Sequence, residues 1–85
     1  MTKETIIKEI TDIWKDVLES EEDTIPTDVT FFELGGNSMI ATLMLENLNE
    51  KFNTEIELVE LYDKNTIQLL ADYVETVLEK KDKTE

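Results

Sequence analysis

The residues with the most chemical potential lie in one stretch, Phe31-Phe32-Glu33-Leu34-Gly35-Gly36-Asn37-Ser38-Met39. Both glycines of the chain stand here, a serine follows them closely, and a helix-period apolar pattern begins at that serine. At a helix N-terminus the orphan N–H groups and the positive end of the dipole favour an anionic group. Ser38 therefore reads as a place to attach or bind a phosphate. The glycine pair lets the backbone turn sharply and keeps bulk away from the hydroxyl. Serine is also a favoured N-cap, so the local pattern alone fits that plain structural role as well.

Nucleophilic catalysis by Ser38 is disfavoured. It requires an adjacent base, the chain contains no histidine, and no lysine lies near Ser38 in sequence. Cysteine is absent too, which removes disulfides and thiolate metal sites. The Gly-x-x-x-x-Gly-Lys spacing of a phosphate-cradling loop is missing, as is the Asp-rich loop of a calcium hand. Clusters such as Glu21-Glu22-Asp23 read as solvated charge. No catalytic residue and no metal site is assigned, and the chain is not expected to be an enzyme.

The elements that position Ser38 follow from periodicity. Ile6, Ile7, Ile10, Ile13, Trp14, Val17 and Leu18 recur at helical spacing and predict an amphipathic helix over about residues 3–19. A long connection follows, holding the only proline, Pro26, with Val29, Phe31, Phe32 and Leu34 to anchor it. Thr30 and Glu33 have capping-box spacing, so a helical turn is expected before the glycines. A second helix is predicted from Ser38 to Phe52, with Ala41, Met44, Leu45, Leu48 and Phe52 inward. Ile56, Leu58, Val59, Leu61 and Tyr62 form a short apolar segment, read as a helical turn or two. Asn65 and Gln68 have capping-box spacing and would open a last helix with Ile67, Leu70, Ala71, Val74, Val77 and Leu78 inward. Glu79 to Glu85 form a charged tail expected to fray. The sum is an all-α fold, a small bundle of three long helices and one short one, in a single domain over 1–85.

The same phase places Met39 and Leu43 on the outer side of the second helix, with Glu46 and Glu50 continuing that row. Apolar residues exposed beside a reactive serine and ringed by carboxylates suggest a docking surface. The formal net charge of −13, from 21 acidic and 8 basic residues, argues against nucleic acid. It favours protein partners with basic patches. No run of the sequence resembles a signal peptide or a membrane span, so a cytoplasmic monomer without membrane contact is expected. A chain of 85 residues has a thin core, burying only about 60–65% of its unfolded surface.

The block from Phe31 to Thr42 closely resembles the 4′-phosphopantetheine attachment motif of peptidyl carrier proteins, the thiolation domains of nonribosomal peptide synthetases. Leu48, Phe52, Ile56-Glu57-Leu58, Leu61-Tyr62 and Thr66-Ile67 follow the register of that family, and the resemblance covers roughly residues 5–78. It implies a four-helix bundle of the acyl carrier protein type. It also implies 4′-phosphopantetheine, delivered from coenzyme A by a phosphopantetheinyl transferase, on Ser38. Gly35, Gly36 and Asn37 would shape the approach to that serine. Met39, Leu43 and Glu46, followed by Thr42 and Glu50, would meet partners. Those partners would be an adenylation or acyl-transferring loading enzyme and condensation, ketosynthase or other tailoring enzymes. The implied function is a stand-alone carrier of aminoacyl or acyl thioesters in nonribosomal or hybrid peptide–polyketide biosynthesis. Asn37 stands where peptidyl carriers often have histidine or aspartate, and the strong acidity looks more like acyl carriers of polyketide or fatty-acid pathways. That carrier type is one alternative, and a non-covalent acidic interaction domain is another.

Overall fold

The computed structural model of the chain describes residues 2–83. Four helices follow in order: α1 Lys3–Val17, α2 Ser38–Phe52, α3 Leu58–Leu61 and α4 Ile67–Lys83. α1 packs on both α2 and α4, and the single turn of α3 packs on α2.

Each boundary has a local cause. Thr2 caps α1, its hydroxyl accepting the Thr5 N–H at 3.2 Å. Ile6, Ile10 and Trp14, spaced four apart, are its buried stripe. α1 stops at Val17, two residues before the expected end, because Glu19 turns left-handed at φ 53°. The Glu19 N–H then reaches Asp16 O at 3.2 Å and the Ser20 N–H reaches Lys15 O at 2.9 Å, the paired bonds of a Schellman closure. α2 also ends on a left-handed residue, Asn53 at φ 55°, a residue type that tolerates this geometry, but here the Asn53 and Thr54 N–H groups both donate to Asn49 O.

α4 opens differently from the capping box expected at Asn65 and Gln68. Thr66 is the cap, accepting the Leu69 N–H at 3.1 Å. The Asn65 amide instead donates to Tyr62 O. The Gln68 N–H donates to Thr27 O and the Phe31 N–H to Asn65 O, so the long connection is sewn to the start of α4. A Thr30–Thr66 bridge completes that seam. α4 continues to Lys83, so most of the segment expected to fray is helical; residues 84 and 85 lie outside the described residues.

The core contains the whole stripe anticipated on α2, and Ile6, Ile10 and Trp14 of the one anticipated on α1, whose Ile7, Ile13, Val17 and Leu18 are only half-buried against it; α4 contributes Ile67, Leu70, Ala71 and Val74, while Val77 and Leu78 are half-buried. Ile25 and Phe31 enter it from the connection, and Ile56 and Leu61 from the α3 region. Phe31 is fully buried and its ring meets Trp14 edge to face, centroids 4.9 Å apart. Phe32 is half-buried.

Polar fasteners supplement this thin core. The Asn49 side chain holds the α2–α3 loop by three bonds: its amide donates to Ile56 O, and its oxygen accepts from the Ile56 N–H and the Thr54 hydroxyl. The Tyr73 hydroxyl donates to Glu60 at 2.6 Å, tying α3 to α4. That bond and the Glu57 N–H hold the Glu60 carboxyl below its ordinary range, while Glu60 pushes the Tyr73 hydroxyl up. Glu60 stabilises the fold above its unfolded value, and that contribution fades as pH falls through its lowered one. Tyr73 contributes below its unfolded value, and loses that as pH rises through its raised one. Ion pairs Lys3–Asp72 and Lys51–Glu9 link α1 to α4 and to α2.

Two substitutions test these boundaries. Glu19→Gly relieves a left-handed non-glycine residue and should raise stability by about 0.5–1 kcal/mol in urea unfolding. A neutral or negative effect would show that the Schellman geometry carries no strain. Gly36→Ala places a Cβ inside van der Waals contact of the Phe31 ring, and 2.9 Å from the Phe31 carbonyl oxygen. It should cost about 1–3 kcal/mol by overpacking, and an unchanged midpoint would contradict that seating.

Candidate functional site

The site is built around the first residue of α2. Asn37, extended at φ −138° and ψ 178°, is the N-cap, and its side-chain oxygen accepts the Ile40 N–H at 2.9 Å. Its carbonyl accepts the Ala41 N–H at 2.8 Å. Ser38 is thus the first helical residue and not the cap, which removes the plain structural role its sequence context allowed. Asn and Asp are equally good caps, so Asn37 serves the helix where an aspartate would.

The glycines have separate reasons. Gly35 adopts φ +103°, which side-chain-bearing residues rarely do, in open space. Gly36 lies against the Phe31 ring and has no room for a Cβ. The turn before them carries one half of the capping box expected at Thr30 and Glu33, the Thr30 hydroxyl accepting the Glu33 N–H at 3.1 Å, while the Glu33 carboxylate accepts from that same hydroxyl at 3.0 Å. Gly36 N–H closes the turn on Phe31 O at 3.0 Å.

Ser38 is exposed. The first turn of α2 carries no acidic residue, in a chain with 21 of them. A phosphodiester at Ser38 therefore meets helix N–H groups and no carboxylate in that turn. Exposure, glycine neighbours without bulk and this charge-free turn all fit a phosphopantetheine group on the hydroxyl.

The outer face of α2 is as anticipated. Met39 is 82% exposed and Leu43 48%, and Thr42, Glu46 and Glu50 are exposed. The Thr42 hydroxyl donates to Ser38 O at 2.9 Å, so it serves its own helix. The structure adds two residues to which the sequence reading gave no face: Val59, 65% exposed, and Tyr62, 54% exposed. The Tyr62 ring stacks on Phe32 with centroids 5.8 Å apart and planes 10° from parallel. α3 is thereby held beside the turn that leads to Ser38. The signal was present, since four of the five residues from Leu58 to Tyr62 are apolar and a one-turn helix buries only one side.

Residues 8–74 match the family profile described as the phosphopantetheine attachment site. Gramicidin S synthase 2 from Brevibacillus brevis is 39% identical over 64 residues, covering 75% of this chain and 1% of that protein. Bacitracin synthase 1 from Bacillus licheniformis is 33% identical over 63 residues, 74% of this chain and 1% of that protein. L-2-aminoadipate reductase from Saccharomyces cerevisiae is 29% identical over 70 residues, 82% of this chain and 5% of that protein. The chain thus spans only 1–5% of the length of these curated relatives. Among solved structures, BlmI, a type-II acyl carrier protein of Streptomyces verticillus involved in bleomycin biosynthesis, superposes with a TM-score of 0.80 at 25% identity, over 89% of each chain. The HMG-ACPI domain of the CurA module from Lyngbya majuscula shares the fold with a TM-score of 0.86 at 23% identity, over 95% of this chain and 82% of that one. A family match over most of the chain and a fold shared with carrier proteins lead to one conclusion: the chain belongs to the phosphopantetheine attachment family, as an all-α carrier-protein domain whose prosthetic group is 4′-phosphopantetheine.

Proposed function

We propose that Ser38 is the attachment point and that the domain holds aminoacyl or acyl groups for nonribosomal peptide or hybrid peptide–polyketide biosynthesis. One observation carries the assignment: Ser38 is exposed at the first position of α2 while Asn37 makes the cap, which leaves the serine hydroxyl with no part in ending the helix. In the loading step the Ser38 Oγ–P bond forms and the pyrophosphate P–O bond of coenzyme A breaks. Adenosine 3′,5′-bisphosphate leaves, and the serine proton passes to a base of a separate phosphopantetheinyl transferase. The bound group supplies the thiol that holds cargo as a thioester. Gly35, Gly36 and Asn37 set the geometry of the serine, and no residue of the chain acts as a catalyst.

The exposed row of Met39, Leu43, Glu46 and Glu50, with Thr42 beside it, is the face for loading, condensation, ketosynthase or tailoring enzymes. Relatives named as peptide synthetases support peptide cargo, and BlmI, named as a type-II acyl carrier, keeps the acyl alternative in view. Among the described residues no helix is long and apolar enough to cross a membrane. A cytoplasmic, monomeric carrier is part of the proposal.

Intact-mass analysis after incubation with coenzyme A and a broad-specificity transferase tests the assignment. The wild type should gain one phosphopantetheine and Ser38→Ala none. No gain on the wild type would favour a non-covalent acidic interaction domain, and a gain on the variant would move the site elsewhere. Ser38→Ala should leave stability within about 0.5 kcal/mol of the wild type. Asn37→Ala should cost about 1 kcal/mol as a lost cap. Leu43→Asp should slow turnover by a loading enzyme while leaving the melting temperature in place. Loss of folding in that variant would put Leu43 in the core.

A further inference from the structure

A second feature lies at the Ser38 end of the bundle. Lys51, in the last turn of α2, pairs with Glu9 near the middle of α1 at 3.2 Å. Gly36, just before α2, seats on Phe31, whose ring meets Trp14 in the last turn of α1. α1 and α2 therefore run antiparallel, and the C-terminal end of α1 stands beside the start of α2. A cleft of about 200 Å³ opens there. Its apolar lining is Leu18, Ile25, Pro26 and Leu34, and its polar rim is Ser20, Glu22 and Thr24.

The cleft is a shaped feature of the connection. Lys15 donates to Asp23 O at 3.1 Å and the Glu22 N–H donates to Ser20 Oγ at 3.2 Å, which fix the rim against the end of α1. Ile25 is buried and forms part of the core, so the apolar lining is continuous with it. Glu22 is exposed, with Glu21 and Asp23 on either side. Leu34 and Ser38 are four residues apart, so their Cα atoms lie within about 14 Å of each other. A phosphopantetheine chain with its two amide-linked segments is long enough to fold back over that span.

We propose that this cleft receives the cargo when it is an aliphatic α-aminoacyl group. The branched side chain enters between Leu18, Ile25, Pro26 and Leu34, and the free α-ammonium faces the Glu22 carboxylate. An apolar pocket with a carboxylate at its rim matches both halves of such a group. The cleft volume of about 200 Å³ admits an isobutyl or sec-butyl group. An acyl chain without an ammonium lacks the contact with the Glu22 carboxylate.

This inference rests on Ser38 being the attachment point, and its test separates the two. The protein is modified by a transferase with coenzyme A analogues bearing amide-linked leucyl, N-acetyl-leucyl or aspartyl groups, and intact mass confirms loading. Methyl shifts of Leu18, Ile25 and Leu34 are then compared with those of the unloaded holo form. The leucyl form should move these three sets several-fold more than the aspartyl form, with the N-acetyl-leucyl form between them. Glu22→Gln, a change on the exposed rim, should reduce the leucyl shifts toward the N-acetyl-leucyl value. Loaded protein with unmoved cleft methyls, or equal shifts for leucyl and aspartyl, overturns the proposal and leaves Ser38 assigned. Absence of any mass gain overturns the Ser38 assignment and the cleft proposal with it.

Discussion

The seating of Phe31 is the contact on which the rest of the structure depends. Its ring is fully buried, meets Trp14 of α1 edge to face, and covers the face of Gly36 where a side chain would otherwise stand. One aromatic residue thereby sets the distance between the end of α1 and the start of α2. It also explains why the connection, although long and irregular, delivers Ser38 to a defined place. Phe32 lies in edge contact with Phe31 and stacks on Tyr62, so the same anchor extends to α3. A small domain has few large side chains, and here four aromatics in contact, Trp14, Phe31, Phe32 and Tyr62, decide the geometry of the Ser38 end.

Capping and exposure of a hydroxyl are divided between Asn37 and Ser38 at the start of α2. The cap must turn its side chain inward onto the N–H groups of the first turn, and that orientation removes it from chemistry. With Asn37 in that role, Ser38 stays exposed and keeps the favourable field of the helix N-terminus. The absence of carboxylates from that turn follows the same logic, since an acidic residue there would compete with a phosphate for the same N–H groups.

Much of this was legible in the sequence. Trp14, Ala41, Leu45 and Val74 sit on stripes with a clear helical period, and Met39 and Leu43 fall outside by the same count. What escaped notice involves bonds whose partners are distant or ambiguous in sequence. Asn65 and Thr66 both precede α4, and both are good caps; only the packing of Asn65 against Tyr62 and Phe31 decides for Thr66. Asn49 lies on a helix where asparagine is unremarkable, and its role appears only when the loop folds back over it. The end of α1 depended on Glu19 entering a left-handed conformation that its residue type does not advertise. On α3 the apolar excess signals that some apolar side chains stay exposed, but five residues are too few for a period to say that these are Val59 and Tyr62.

Charge placement completes the picture. Eight basic residues must serve a chain with 21 acidic ones. Lys3, Lys8 and Lys51 pair with Asp72, Asp12 and Glu9. Lys15 and Lys81 hold loop carbonyls at Asp23 and Asn53, and Lys64 lies over the Tyr73 ring. Six cations are thus engaged in α1, in α4 and in the loops, or in tying α2 to α1. The one lysine of α2, Lys51, follows Glu50 in sequence yet turns to Glu9. The row that continues from Met39 and Leu43 through Glu46 and Glu50 is therefore left net negative beside exposed apolar surface. A partner that covers this row gains most if it brings a basic rim around an apolar centre, because both the desolvated contact and the longer-range attraction then act at the same place.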